Sequence, residues 1–271
     1  MIKRKPPNGR RAKQRPTAAA EEPYWLFGVH AVLAALANPR RRCHRLLLGA
    51  EAAHSHGKRI QGLLAAARPG PGLTPERASG DDIARALPDG AVHQGLAVLA
   101  APLVQPSLDA LMTAALTREK VIRPVLVVLD QVTDPHNVGA ILRSAAAFGA
   151  AAVVAPKRHA AAESGTLAKA ASGAFEHVAY IQVANLARAL AAMKAAGFWS
   201  LGLAGEAAHT LAEADPRTPL ALVLGAEGRG LRRLTREACD VLARLPTRAP
   251  IDSLNVSNAA AVALYQVLGC A

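Results

Sequence analysis

Two short, uninterrupted apolar runs limit the folds open to this chain. They cover Pro124–Leu129 and Leu220–Leu224, and each has the length and composition of a strand. Strands buried on both faces form such continuous runs, whereas strands with one wet face alternate. Helix-like segments separate these runs from further strand-like ones, at Ala151–Val154, Val178–Val183, Phe198–Leu203 and Val241–Leu245. The alternation predicts an α/β fold with a mainly parallel sheet that helices cover on both faces.

Composition divides the chain into four predicted segments. Residues 1–22 carry seven Lys or Arg among the first fifteen positions, with prolines and no apolar periodicity, which predicts a disordered tail. Such a tail either grips phosphates or is only a solubilising extension. Residues 23–101 mix helix-like and strand-like pieces and predict a small α/β domain, and residues 102–122 form a linker with a helical piece at Leu108–Leu116. The predicted parallel-sheet domain occupies residues 123–271.

Charge and cysteine usage indicate the kind of partner and compartment. The chain of 271 residues has a net charge of +12 and a pI near 10.4, which favours a polyanion, most often nucleic acid, although anionic membranes attract such proteins too. Its apolar stretches are too short to span a bilayer. Cys43, Cys239 and Cys270 have neither disulfide nor metal-ligand spacing, so we expect a reducing cytoplasm and no metal site.

Three polar or glycine-rich segments lie where a predicted strand gives way to a helix. They are Asn137–Arg143, Gly225–Gly230 and Ser253–Asn258, and the first and third open the predicted helices 137–148 and 255–268. Open α/β sheets place their ligand sites at such strand ends. The three segments together therefore predict one composite pocket.

Each segment alone has a structural alternative. Asn137 can cap its helix while Arg143 forms a surface salt bridge. Glu227 can favour the positive end of a helix that begins near Leu231. The third segment can be a redundant cap of helix 255–268, although its four short polar side chains exceed what capping requires.

The order of these motifs resembles that of a known enzyme family. N-x-G-x-x-x-R at 137–143, G-A-E-G at 225–228 and S-L-N-V-S at 253–257 are similar to the three signature motifs of the SpoU (TrmH-type) RNA ribose methyltransferases, which belong to the SPOUT class. One branch of this family methylates a guanosine of bacterial 23S ribosomal RNA. The chain resembles that branch in three further segments, at 93–95, 130–137 and 204–209.

The resemblance implies a fold, a chemistry and a set of site residues. It implies a deep trefoil knot in the parallel-sheet domain, an L30e-like RNA substrate-binding domain at 23–101, and a homodimer to which the apolar stretch Ala259–Leu268 contributes. The implied reaction moves a methyl group from S-adenosylmethionine to the ribose 2′-hydroxyl of a guanosine in 23S ribosomal RNA. The implied catalytic residues are Asn137, Arg143, Glu227 and Asn255. The residues implied to hold the cofactor are Leu203, Gly225, Leu245, Ser253 and Leu254.

The chemistry restricts what Arg143 can do. An arginine is an awkward base because its guanidinium pKa exceeds about 12. We therefore expect Arg143 to hold a phosphate or the ribose and to offset negative charge on the attacking oxygen. Asn137, Glu227 and Asn255 are expected to orient Arg143 and the ribose.

The chain departs from the family pattern at two positions, and two other functions are alternatives to the implied one. Ala249 stands where the family usually has glycine, and Asn258 stands where an apolar residue is common. A 2′-O-methyltransferase for tRNA or for another ribosomal nucleotide would share the three motifs. A non-catalytic RNA-binding protein would explain the charge but gives no reason for Arg143, Glu227 and Asn255 to occur together. The segment at 93–95 favours the ribosomal branch.

Overall fold

The computed structural model describes residues 22–66, 72–117, 124–158 and 160–269. The predicted tail, apart from Glu22, and the end of the predicted linker therefore lie outside the described residues. Two separate sheets organise the described part of the chain. None of the helices in these ranges is long and apolar enough to cross a bilayer.

The smaller sheet belongs to a separate N-terminal α/β domain. Its strands are β1 (Tyr24–Phe27), β2 (Cys43–Leu48), β3 (Pro75–Arg77) and β4 (Leu96–Ala100). Their order is β1–β4–β2–β3, with β3 parallel to β2 and β4 antiparallel to both of its neighbours. The helices of this domain are α1 (Val29–Ala37), α2 (Ala50–Ala66) and α3 (Gly80–Arg85). The domain was predicted from sequence, and its L30e-like character stays a prediction.

The larger sheet is wholly parallel in its pairings. Its strands are β5 (Val125–Asp130), β6 (Ala152–Pro156), β7 (Ala179–Val183), β8 (Trp199–Leu203), β9 (His209–Thr210), β10 (Leu220–Gly225) and β11 (Val241–Arg244). Their order is β7–β6–β5–β10–β8–β11–β9. Each neighbouring pair runs parallel. The predicted α/β fold with a mainly parallel sheet is confirmed, whereas the trefoil knot stays a prediction.

Helices cover both faces of this sheet, which explains the continuous apolar strands. They are α4 (Leu108–Thr117), α5 (Pro135–Phe148), α6 (Gly165–Ala170), α7 (Leu186–Ala195), α8 (Arg233–Ala238) and α9 (Val256–Leu268). Val125, Val127 and Leu129 share one core with α5, α6 and α9. Leu126 and Val128 share the opposite core with α4 and α7. Because every side chain of β5 is buried, a strand without polar alternation is stable here.

Helix α5 carries the first polar segment and begins at Pro135, two residues before the predicted start at Asn137. Asp134 is its N-cap, and its Oδ1 accepts a hydrogen bond from the backbone N–H of His136 at 3.0 Å. Pro135 at the first helical position fits, because that turn needs no donor from it. The helix ends at Gly149, whose φ of 79° is the left-handed conformation that glycine adopts without strain.

Candidate active site

The three predicted segments meet at one edge of the larger sheet. Strands β5 and β10 are parallel neighbours, and Asp130 lies opposite Gly225 where both strands end. Helix α5 follows β5 after a short loop, and a glycine-rich turn at 226–230 follows β10. The third segment precedes α9, which packs against α5. Since parallel strands end at the same edge, segments far apart in the chain become neighbours in space.

A hydrogen-bonded cluster joins one residue from each segment. Glu227 Oε1 accepts from Asn137 Nδ2 at 3.2 Å, from Asn255 Nδ2 at 2.5 Å and from the backbone N–H of Val256 at 3.3 Å. Asn255 Nδ2 also donates to Asn137 Oδ1 at 2.9 Å. The structure thus brings together three of the four residues predicted to be catalytic.

Asn255 has a second role at the start of α9. Its Oδ1 accepts from the backbone N–H groups of Ser257 at 2.9 Å and Asn258 at 3.4 Å, which caps the helix. The nitrogen of the same side chain, Nδ2, donates to Glu227 and Asn137. The alternative in which this segment only caps a helix is therefore wrong, because one asparagine both caps α9 and reaches Glu227 and Asn137.

Two further structural alternatives are also wrong. Asn137 does not cap α5, since Asp134 does so, and Asn137 lies inside the first turn. Among the described residues, Glu227 forms no hydrogen bond with the helix after Leu231. Its carboxylate instead accepts from the first residue of α9, where the positive end of that helix favours a negative charge.

Arg143 is the predicted catalytic residue that the structure leaves outside the cluster. It lies on α5 six residues after Asn137, which corresponds to about 240° around the helix axis. Its side chain is exposed and has no hydrogen bond or ion pair with any other described residue. Within the described residues, the surface salt bridge considered for Arg143 is thus not formed.

The turn after β10 is built by close backbone contact. A Cβ atom on Gly225 would lie 2.2 Å from the carbonyl carbon and 2.4 Å from the carbonyl oxygen of Gly230. Gly230 N–H donates to the Ala226 carbonyl oxygen at 2.8 Å, and Gly228 and Gly230 have φ values of 73° and 63°. Glycine is needed here because the chain folds back on itself and twice enters the left-handed region. This geometry holds Glu227 at the tip of the turn.

A buried carboxylate anchors the far end of the same turn, and sequence reasoning missed its role. Asp130 is fully buried at the end of β5 and accepts from the backbone N–H of Arg232 at 2.9 Å and from its Nε at 2.7 Å. A charge is rarely buried without a partner. The signal was present, since Asp130 is a charged residue that directly follows a wholly apolar run.

A cavity of about 760 Å³ opens beside the cluster. This volume is typical of small-molecule sites. Glu227 and Asn255 line it, so the polar cluster forms part of its wall. Sequence reasoning missed two charged lining residues, Glu206 and Arg236. All five residues predicted to hold the cofactor line the cavity, namely Leu203, Gly225, Leu245, Ser253 and Leu254.

The donor set fits an adenosyl group. Leu203, Leu245 and Leu254 offer apolar surface, and the turn at 225–230 and the loop at 252–254 offer backbone donors and acceptors. An aromatic base and a ribose need this combination of apolar contact and backbone hydrogen bonds. Asn137 and Arg143 are not among the residues that line the cavity.

Comparison with known proteins identifies the family. The SpoU rRNA Methylase family profile matches residues 124–265, and the profile for RNA 2′-O ribose methyltransferase substrate binding matches residues 25–106. The chain belongs to the SpoU rRNA methylase family. The resemblance drawn from the three motifs is thereby confirmed.

Relatives of this family match nearly the whole chain. A 23S rRNA (guanosine-2′-O-)-methyltransferase RlmB from Pseudomonas aeruginosa is 42% identical over 90% of this chain and 95% of its own length. The RlmB protein of Ralstonia nicotianae is also 42% identical, over 90% of this chain and 94% of its own. Both matches include the N-terminal domain as well as the parallel sheet.

Solved structures of SpoU methyltransferases share the fold. AviRb from Streptomyces viridochromogenes, in complex with the cofactor AdoMet, superposes with a TM-score of 0.72 at 23% identity and covers 91% of this chain and 90% of its own. An AdoMet-bound rRNA methyltransferase from Sinorhizobium meliloti has a TM-score of 0.71 at 20% identity, covering 91% of this chain and 87% of its own. At these identities the likeness shows the common architecture of both domains.

Proposed function

We propose that this protein methylates the ribose 2′-hydroxyl of a guanosine in 23S ribosomal RNA, with S-adenosylmethionine as methyl donor. The main support for the proposal is that the polar cluster and the cavity wall have two residues in common. Glu227 and Asn255 belong both to the polar cluster and to the wall of the cavity that fits an adenosyl group. Relatives at 42% identity over 90% of the chain are named for this reaction. Ribosomal RNA as partner also agrees with the net charge of +12 and implies a cytoplasmic protein.

Different residues of the chain have different roles in the proposed reaction. Bound S-adenosylmethionine supplies an electrophilic methyl group on a positively charged sulfur. The ribose hydroxyl must then be held in line with that methyl group and relieved of its proton. The Asn137–Glu227–Asn255 cluster provides amide and carboxylate groups on a fixed frame to orient the ribose. The role of Arg143 is to offset negative charge on the attacking oxygen and to hold the adjoining phosphate.

Replacing Arg143 with alanine tests this division. We expect methyl transfer to an unmodified 23S ribosomal RNA transcript to fall about a hundredfold or more, because an oriented charge-stabilising group is lost. Affinity for S-adenosylhomocysteine should be nearly unchanged. The matched control is Arg188→Ala, since Arg188 is also an exposed helical arginine without a side-chain partner in the described residues. Equal turnover in Arg143→Ala and in the parent protein would remove Arg143 from the mechanism.

The same assay separates the RNA classes. Transcripts of 23S ribosomal RNA and of tRNA are offered to the parent protein, and the methylated nucleotide is mapped by its resistance to alkaline cleavage. The proposal requires ribose methylation of a guanosine in the ribosomal transcript. Methylation of tRNA alone would support the alternative function, and RNA binding without methylation would support a non-catalytic protein.

We propose in addition that the protein works as a homodimer. The support is the outer face of α9, where Val262 and Tyr265 keep 46% and 55% of their surface exposed although the opposite face of the helix is buried. Exposed apolar patches of this kind mark association surfaces. Val262→Glu should shift the mass measured by light scattering toward the monomer, whereas Val104→Glu, at an exposed valine outside α9, should not. A parent protein that is monomeric at micromolar concentration would contradict this proposal.

A further inference from the structure

Two opposite charges face the cavity together. Glu206, in the loop after β8, accepts a hydrogen bond from the guanidinium of Arg236 on α8, and both residues line the cavity. This is the one ion pair among the described residues in which both partners belong to the cavity wall. The hydrogen bond from Arg236 holds the pKa of the Glu206 carboxyl below its ordinary value.

The pair is poorly explained as a structural support. The side chains of Arg236 and Glu206 keep 36% and 61% of their surface exposed. Exposed ion pairs contribute little to folding, because water screens them and two long side chains must be ordered. Helix α8 is anchored independently by the bond between Arg232 and the buried Asp130, and by the buried Thr235.

Hydrogen bonds from Arg244 and between backbone groups fix the position of the loop that carries Glu206. Arg244 on β11 donates from Nη1 to the carbonyl oxygen of Ala207 at 2.6 Å. Ala204 N–H donates to the Ala243 carbonyl oxygen at 2.9 Å, and Ala207 N–H closes the turn onto Ala204 at 3.1 Å. The carboxylate of Glu206 is therefore presented on a fixed turn, as a preorganised ligand group must be.

The proposed methyl donor has a chemical group that matches this arrangement. Its amino-acid end is a zwitterion, with a carboxylate and an ammonium group on the same carbon atom. A guanidinium binds a carboxylate through two parallel N–H groups, and a carboxylate accepts from an ammonium group. A zwitterion therefore needs one cation and one anion close together, and Arg236 and Glu206 provide them beside the surfaces that fit the adenosyl group.

We propose that Arg236 and Glu206 form the subsite for the amino-acid end of S-adenosylmethionine, with Arg236 on its carboxylate and Glu206 on its ammonium group. On binding, the direct hydrogen bond between the two side chains is exchanged for bonds to the ligand. This inference rests on the proposed function, since it deepens the recognition of the same methyl donor. It makes both residues determinants of cofactor affinity and leaves the methyl transfer itself to the cluster and Arg143.

Calorimetry with three ligands tests the assignment. S-adenosylhomocysteine has the complete zwitterion, its decarboxylated analogue lacks only the carboxylate, and methylthioadenosine lacks the whole amino-acid end. Arg236→Gln should weaken S-adenosylhomocysteine about tenfold to a hundredfold, the loss typical for a charged hydrogen bond. It should change the affinity for the other two ligands less than about twofold. Glu206→Gln should weaken both ligands that carry the ammonium group and leave methylthioadenosine unchanged.

A control on the same helix completes the experiment. Arg233→Gln removes an exposed arginine whose partner is Glu237 and which does not line the cavity, so all three affinities should stay as in the parent protein. Two outcomes overturn the inference. One is an unchanged affinity for S-adenosylhomocysteine in both variants, and the other is an equal loss for all three ligands, which would mean that the pair only shapes the cavity. If the parent protein itself bound none of the three ligands, the proposed function would fail instead.

Discussion

At the residue scale, one carboxylate oxygen organises the candidate site. Glu227 Oε1 receives three donors, from Asn137, Asn255 and the first residue of α9. Such convergence is costly to lose, because hydrogen bonds to charged groups contribute more than neutral ones. It also fixes the spacing of the three chain segments that meet at this site. The cluster therefore connects three segments of the chain and is also a candidate for orienting a substrate.

A first prediction concerns the turn that presents Glu227. Gly225→Ala should weaken S-adenosylhomocysteine binding at least about tenfold, a cost of ~1.4 kcal/mol. The reason is that the added Cβ would lie 2.2 Å from backbone atoms of Gly230, so the turn must move. Calorimetry on the folded variant measures the loss. Gly205→Ala is the control, since a Cβ there meets nothing within 4 Å although Gly205 lines the same cavity. Equal affinities in both variants would show that the turn does not shape the cofactor site.

Much of this site could be predicted from the residues, and its omissions have physical causes. Asn137, Glu227 and Asn255 stood out because each is a polar residue close to the end of a buried strand. Packing of the hydrophobic core does not explain a polar residue at such a position. Glu206 and Arg236 did not stand out, since a charged residue in a loop or on a short helix looks like ordinary surface. Only the three-dimensional arrangement shows that they share one wall.

At the scale of elements, close helix packing explains a motif residue. Gly139 lies on α5, where a Cβ atom would be 2.4 Å from Ala170 Cβ and 2.8 Å from the backbone nitrogen of Ala171. The glycine of the first motif therefore lets α5 approach the end of α6. Because Asn137 and Arg143 are on the same helix, the depth of this packing positions both of them.

Gly139→Ala should therefore lower the free energy of unfolding by about 1–3 kcal/mol, the usual cost of overfilling a tight core. The backbone of Ala170 and Ala171 cannot move aside as a flexible side chain would. Urea denaturation measures the change. In Gly57→Ala the same methyl group is added to helix α2 where no atom lies within 4 Å, and stability should be equal or higher. A Gly139→Ala protein as stable as the parent would mean that α5 and α6 separate without cost.

Element prediction from sequence succeeded for the long buried strands and failed for the shortest ones. Strands β5 and β10 were predicted because all or nearly all of their side chains are buried. Strands β3 and β9 were missed, since they have three and two residues and expose about as much as a loop. Helix α2 begins at Ala50 with an alanine-rich first turn, which gives no apolar periodicity from which its start could be predicted.

At the scale of the whole molecule, a buried ion cluster joins the two domains. The Arg41 side chain, just after α1, is fully buried and donates from Nη2 to Glu176 Oε1 at 2.6 Å and from Nη1 to Glu163 Oε1 at 3.1 Å. Both glutamates lie between β6 and β7 of the larger domain. Tyr24 O–H donates to Glu163 at 2.5 Å, and Asn38 Nδ2 donates to Glu176 at 2.7 Å.

Close backbone contacts surround this cluster. A Cβ on Gly165 would lie 2.2 Å from the Trp25 carbonyl oxygen, and one on Gly173 would lie 2.9 Å from Ala34 Cβ. The domains therefore meet in one specific orientation, which fixes the N-terminal domain relative to the Asn137–Glu227–Asn255 cluster. Sequence could not predict this interface, because Arg41 and its partners are 122 and 135 residues apart and Arg41 stands between two other arginines that look the same.

The last prediction tests this joint through Glu176→Gln. The substitution leaves the buried Arg41 with only the partly exposed Glu163 as a charged partner, so we expect a loss of about 3 kcal/mol in the free energy of unfolding. Glu76→Gln is the control, since it removes the bidentate partner of Arg45, whose side chain is 53% exposed, and should cost less than about 1 kcal/mol.

Small-angle scattering of the folded Glu176→Gln protein should show a larger radius of gyration, because the N-terminal domain loses its fixed orientation. Specificity for the ribosomal transcript should decrease with it, whereas affinity for S-adenosylhomocysteine should not, since the cofactor cavity lies within the larger domain. Equal, small stability losses in both variants with an unchanged radius of gyration would show that the buried cluster does not hold the two domains together.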